Sequence, residues 1–240
     1  MATMDTKLNQ LVDTVWARFQ EWPGTKRFLI VIGGIPGSGK TTLSLHLTAA
    51  LNARWSSEHF GSPPIAVFVP MDGFHYTRAQ LDTFPNPAEA HARRGAAFTF
   101  DGEGFVNLVK RLAEPVTEST ETIWAPDFDH AAKDPRENAI AVERHNRIVV
   151  LEGNYTLLNI PPWSQIAPLS SLTILATVPH EVARRRLAAR HLRAGIVDTL
   201  EAGDRRAVEN DLPNGDEMLA NVVPGVDVLF ESVDEEGWGS

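Results

Sequence analysis

The sequence predicts an α/β fold: a parallel sheet with helices on both faces. Three observations carry this. Unbroken apolar runs of strand length recur at residues 28–32, 65–69 and 148–151, with a mostly apolar one at 172–178, as expected of strands buried on both faces. Segments with apolar residues at three- and four-residue spacing separate them, and strands alternating with helices form parallel sheets. Asp72 and Glu152 stand at or just past the ends of two of the runs. In open α/β sheets, ligands bind in the crevice beyond those ends.

The elements follow in order. Leu8, Leu11, Val12, Val15, Trp16 and Phe19 mark an amphipathic helix within residues 1–23, stopped by Trp22-Pro23-Gly24. Residues 28–32 form the first strand. After a glycine-rich turn, Leu43, Leu47 and Leu51 repeat on a helix that ends near Arg54. Gly61-Ser62-Pro63-Pro64 turns the chain into the strand at 65–69. Residues 73–100 are mixed and punctuated by Pro85, Pro87 and Gly95. They read as an insertion capping a substrate, not as sheet core.

Asp101 caps a helix carrying Phe105, Leu108, Val109 and Leu112. Residues 122–125 read as a short strand, and Pro126-Asp127-Phe128-Asp129-His130 with Asp134-Pro135 as a polar loop. Strands at 147–155 and 172–178 follow. Pro179 opens an arginine-rich helix that stops near Gly195. Residues 198–211 form one more helix, 226–230 the last strand, and the acidic tail frays. With no repeat or low-complexity linker, residues 1–240 read as a single domain, with the helix 1–23, the insertion 73–100 and a lid helix at 184–195.

Composition excludes several classes. With 43% hydrophobic and 22% charged residues, the chain is an ordinary globular protein. The formal net charge of −9 argues against nucleic acid as a partner. There is no cysteine, so disulfides, thiol nucleophiles and cysteine-ligated zinc are ruled out. No apolar run reaches the ~18 residues of a membrane span, and the N-terminus lacks a signal pattern, so the expected location is the cytoplasm. A homodimer stays open.

The glycine-rich turn carries the chemistry. Gly34-Ile35-Pro36-Gly37-Ser38-Gly39-Lys40-Thr41 fits G-x-x-x-x-G-K-[ST], the phosphate-binding P-loop, between a strand and a helix as the motif requires. The glycines let successive N–H groups face phosphate oxygens. Lys40 brings a positive charge to the β/γ-phosphates. The Thr41 hydroxyl suits Mg²⁺, Thr42 follows it into the helix, and the helix N-terminus favours the anion. ATP and Mg²⁺ are the expected cofactors. Phosphoryl transfer also needs an oriented acceptor hydroxyl and charge neutralisation on the moving group. Asp72 and Glu152 are candidates for base and metal roles; the plain alternatives are a turn-capping aspartate before Gly73 and a structural salt bridge. Arg186 and Arg190 are four apart on one helix face, joined by Arg193, while Arg185 points elsewhere. They suit the transferring phosphate, or else form a solvated basic face.

Together, these motifs in this chain order resemble the phosphoribulokinase/uridine kinase/pantothenate kinase family of P-loop kinases, and within it the bacterial and fungal kinase-like ATPases. The resemblance runs from about residue 28 to about residue 230 and implies the three-layer P-loop NTPase fold. Met71-Asp72-Gly73-Phe74 is similar to the segment whose aspartate is the family's base. Leu151-Glu152-Gly153 is similar to its second acidic strand end. Arg94-Gly95 with Phe100-Asp101 resembles a pantothenate kinase segment, residues 126–130 its acceptor loop, and Arg186-Leu187 through Arg190-His191 to Gly195 its lid helix. A histidine at His130, where uridine kinases carry an aromatic, argues against uridine as acceptor.

His130, Asp129, His75, Tyr76 and Arg94 are thus the expected acceptor contacts, with Arg93 beside them. Residues 210–214 lie near the adenine or simply end a helix. No His or carboxylate spacing marks a transition-metal site. The resemblance implies an ATP-dependent kinase acting on the hydroxyl of a small metabolite (nucleoside-, pantothenate- or sugar-like). The alternative is a P-loop ATPase or nucleotide-dependent switch acting on a protein partner.

Overall fold

A computed structural model of the chain describes residues 3–233 and Trp238. Five strands form one parallel sheet: β1 (Phe28–Gly34), β2 (Ala66–Pro70), β5 (Ile148–Gly153), β6 (Leu172–Thr177) and β7 (Val228–Glu231), in the order β2-β5-β1-β6-β7. Successive side chains of a strand point to opposite faces, and the two cores divide accordingly. Phe28, Ile30, Ile32, Ile148 and Val150 pack under helices α1 (Met4–Glu21) and α2 (Lys40–Glu58). Leu29, Val31, Val149 and Leu151 pack with Phe105, Val109 and Leu112 of α5 (Gly102–Leu112). Asp101 caps α5 by accepting the Gly104 N–H at 2.9 Å. The result is a mostly parallel sheet between helical layers.

Between β2 and α5 lie a tight turn at Met71–Phe74 and two short helices, α3 (Arg78–Leu81) and α4 (Pro87–Ala92). The helix after the glycine-rich turn reaches Glu58, one turn beyond the expected end at Arg54, because none of residues 55–58 is Gly or Pro. The stretch 126–135 departs furthest from expectation. Residues 126–129 and 134–135 are not loop but strand, joined by a turn at 130–133 in an antiparallel arm of β3 (Ile123–Asp129) and β4 (Asp134–Val142). Proline and aspartate are depleted in strands; Pro126 is accommodated because the ladder shifts register between Ala125 and Asp127. The arm packs on the Met71–Phe74 turn so tightly that a Cβ at Gly73 would collide with the Pro126 carbonyl.

The arginine-rich helix is α6 (His180–Arg193). The following helix does not stop at residues 210–214. It runs through α7 (Leu200–Arg206), a π-helical stretch at Ala207–Asp211 and α8 (Leu212–Ala220). Pro213 lacks an N–H and crowds the carbonyl four residues back, and the wider π turn absorbs that defect without ending the helix. Of the acidic tail expected to fray, Glu231 ends β7, Ser232 and Val233 are bonded by Arg186, and the remainder apart from Trp238 lies outside the described residues. No described helix is long and apolar enough to cross a membrane.

Candidate active site

The sheet brings the key residues together through register. β5 lies between β1 and β2, and Glu152 pairs with both Ile32 and Pro70. Glu152 thus stands between the strand feeding the P-loop and the strand feeding Asp72. Gly37 and Gly39 both have φ of 81°, a conformation that glycine adopts without steric cost. Gly39 directly precedes α2, whose N-terminus opens into the loop. The buried Ser38 hydroxyl has no hydrogen-bond partner among the described residues.

Lys40 folds over the loop, with Nζ 3.4 Å from the Ile35 carbonyl and 3.9 Å from Glu152 Oε1. Burial pulls the Lys40 ammonium below its ordinary range, against the attraction of Glu152 and Asp72. Burial raises the Glu152 carboxyl to about 7, opposed by Lys40, helped by Asp72 and opposed again by a hydrogen bond from the Thr41 hydroxyl. The Asp72 carbonyl accepts from His75 Nδ1 at 2.9 Å. A carbonyl only accepts, so Nδ1 carries the proton. Burial lowers the His75 pKa, keeping the ring neutral.

Two hollows meet here. A cleft of about 410 Å³ runs along Gly37, Gly39, Thr42, Arg186 and Arg193. A larger cavity of about 580 Å³ is lined by Pro36, His75, Arg94, Phe100 and Phe128, among others. Lys40, Thr41, Asp72, His130 and Arg190 line both. The strand-end aspartate therefore stands where the cleft along the P-loop meets the larger cavity. Gly34 and Ile35 lie beneath the loop, Ile35 within the core.

Several expected positions are corrected. Arg186 does not share the exposure of Arg190 and Arg193. It donates to the Gly37 carbonyl at 3.2 Å, Ser232 Oγ at 2.9 Å and the Val233 carbonyl at 3.0 Å, fastening the P-loop to the C-terminal segment. Tyr76 and Asp129 do not line the larger cavity. The Tyr76 ring packs edge-on against Phe84, and Asp129 Oδ1 accepts the N–H groups of Ala131 and Ala132, closing the β3–β4 turn. Of residues 210–214, Asp211 and Asn214 line the larger cavity. Asn210 and Asn214 accept from Arg93 at 3.1 and 2.7 Å, which ties the insertion to the helical wall.

Lys133, Asn154 and Arg206 carried no functional signal in the sequence, and Phe100 and His191 no acceptor role, while Phe128 fell within the expected acceptor loop; all line the larger cavity. His191 Nε2 sits 2.8 Å from Asp211 Oδ2. Its one sequence signal was its place in the lid-helix pattern. Arg206 gave none and Asp211 only its place in residues 210–214, because a regular helix does not set residues five apart on one face.

This fold and site define a P-loop nucleotide-binding protein of the kinase type. No protein-family model matches the chain. A Schizosaccharomyces pombe (strain 972) protein named "Putative uridine kinase C227.14" is 46% identical over 189 residues, 79% of this chain and 77% of that protein. An Aspergillus versicolor protein named "ATP-dependent kinase-like protein notR'" is 46% identical over 154 residues, 64% of this chain and 90% of that protein. The crystal structure of YFH7 from Saccharomyces cerevisiae shares the fold, with a TM-score of 0.86 at 24% identity over 95% of this chain and 99% of that one. The chain belongs to the uridine kinase-like, ATP-dependent P-loop kinase family, and that membership implies ATP binding.

Proposed function

We propose that the protein transfers the γ-phosphate of ATP to a hydroxyl of a small nucleoside-, pantothenate- or sugar-like metabolite. One observation carries the reading: Asp72 and Arg190 stand at the junction of the cleft along the P-loop and the larger cavity. Asp72 orients the acceptor hydroxyl and takes its proton as the phosphoryl group moves. Lys40 and Arg190 offset the charge on that group, and Arg186 holds the loop that cradles it. An enclosure of about 580 Å³ beside Asp72 supports a small acceptor over a nucleotide-driven switch with a protein partner.

Mg²⁺ suits the donors present. Thr41 and Glu152 offer a hydroxyl and a carboxylate beside the phosphate cradle, and the described residues contain no cluster of three or more His, Cys, Asp or Glu that would make a dedicated protein cage. Mg²⁺ is typically held by one or two carboxylates together with substrate phosphates. When bound, it supplies charge neutralisation at the β- and γ-oxygens.

Asp72→Asn tests the reading. The variant keeps its size and cannot take a proton, so ATP binding by calorimetry stays near wild type. Product formation, followed by mass across a panel of hydroxyl metabolites, falls roughly 10²–10⁴-fold. Equal product formation would remove Asp72 from the mechanism. ATP hydrolysis stimulated by a protein partner, with no phosphorylated small molecule, would favour the switch.

A further inference from the structure

The larger cavity carries more positive charge than phosphoryl transfer uses. Lys40 and Arg190 belong to the junction with the nucleotide cleft. Arg94, Lys133 and Arg206 line only the larger cavity. Arg94 is matched by Asp134 at 2.9 Å and lies over the Phe128 ring. Of the carboxylates that line only this cavity, Glu152 faces Lys40 at 3.9 Å and Asp211 is engaged by His191. Lys133 and Arg206 are left with no carboxylate within ion-pair distance among the described residues, in a chain whose formal net charge is −9. Arg206 Nε is buried and has no hydrogen-bond partner there. A buried donor without a partner is costly.

A second observation concerns Lys133. It occupies the left-handed region, with φ of 58°, which a lysine adopts only at a steric cost. Two bonds hold it there: its N–H to the Asp129 carbonyl at 2.7 Å, and its own carbonyl accepting from Arg94 at 2.6 Å. Such strain persists where the surroundings over-determine it, and it collects at ligand clamps. Lys133 comes from the β3–β4 turn and Arg206 from α7, so two separate elements bring unmatched cations to one enclosure.

We propose that the acceptor bears an anionic group, a carboxylate or a phosphate, which Lys133 and Arg206 receive from the lining that the cavity does not share with the nucleotide cleft. The proposal rests on the kinase reading above and narrows its substrate class. Charge-assisted bonds to an anion satisfy both cations, whereas a neutral polyol can accept from Arg206 Nε but leaves both positive charges without a counter-charge. His75, with its ring 3.9 Å from that of Phe100 and 4.9 Å from that of Phe128 and tilted 39° and 49° to them, forms an aromatic wall along which the uncharged part of the acceptor lies.

The test uses the full chain saturated with Mg²⁺ and a non-hydrolysable ATP analogue, so that the P-loop is filled. Inorganic phosphate, succinate and glycerol are titrated separately by calorimetry. At least one anion binds saturably and glycerol does not; the preferred anion tells a phosphorylated acceptor from a carboxylated one. Lys133→Ala and Arg206→Ala each weaken that binding roughly tenfold, Arg206→Lys retains most of it, and melting curves show that each variant is folded. Binding of neither anion, equal binding of glycerol, or undiminished binding in both alanine variants overturns the proposal. Failure of the ATP analogue itself to bind strikes the kinase reading instead, so the two failures are distinguishable.

Discussion

Lys40 Nζ lies 3.9 Å from Glu152 Oε1, and both side chains are nearly excluded from solvent. The pair joins the loop after β1 to the end of the neighbouring strand β5. Burial outweighs the mutual attraction on both partners, lowering the lysine and raising the carboxyl. Such a contact is weak evidence for stability, since desolvation offsets much of the Coulombic gain. A phosphate at the loop supplies Lys40 with a stronger counter-charge.

Lys40→Ala therefore loses ATP turnover by about 10²-fold or more, the scale of removing one electrostatic stabiliser of a transition state. Steady-state turnover of the purified variant measures this. Wild-type turnover would remove the P-loop from the function.

Arg186 and Arg190 separate into different roles although they share one sequence pattern. Arg186→Ala strips the bonds to Gly37, Ser232 and Val233 and lowers stability by roughly 1–3 kcal/mol. Arg190 is exposed and makes no side-chain bond among the described residues. Arg190→Ala stays within about 0.5 kcal/mol of wild type in stability and loses turnover. Thermal melts beside rates decide this, and the reverse pattern would exchange the roles.

The buried His191–Asp211 contact at 2.8 Å locks the lid helix to the π-helical stretch. A double-mutant cycle with His191→Phe and Asp211→Asn should return a coupling of about 1 kcal/mol or more in denaturant unfolding. Additive losses would mean that the two side chains do not support each other.

Asp227 predicts the acid side of the stability profile. Burial alone would raise its pKa, but bonds from the Thr173 N–H, Arg18 and the Thr173 hydroxyl hold it below the ordinary 3.8. A depressed carboxyl stabilises the fold fully above about pH 4, and that contribution is lost as pH falls through the folded-state value. The side chain is 35% exposed, so screening keeps the effect of Asp227→Asn near 1 kcal/mol. The gap between wild-type and variant melting temperatures should close on acidification below pH 4. A gap independent of pH would show that the charge does not matter.

Much of the framework was legible because its signals are local. The run at 28–32, the glycine spacing at 34–39 and the leucines of α2 each report on neighbours within one turn or one strand. The β3–β4 arm was not, because Pro126, Asp127 and Asp129 carry loop propensities that a register shift and packing against the Asp72 turn override. Pro213 read as a helix stop, although a π turn lets the helix continue.

The sequence by itself determined the parallel α/β sheet, the P-loop with Lys40 and Thr41, and the strand ends bearing Asp72 and Glu152. These follow from periodicity and from residue types that only certain backbone conformations tolerate. The tertiary structure alone decided that Glu152 falls between the two functional strand ends, that Arg186 braces the loop while Arg190 faces both hollows, and that Lys133, His191 and Arg206 share one cavity. Those residues are brought together by strand order, a hairpin and a change of helical phase. Each is a long-range packing outcome, set by burying two apolar faces at once, and no short window of sequence records it.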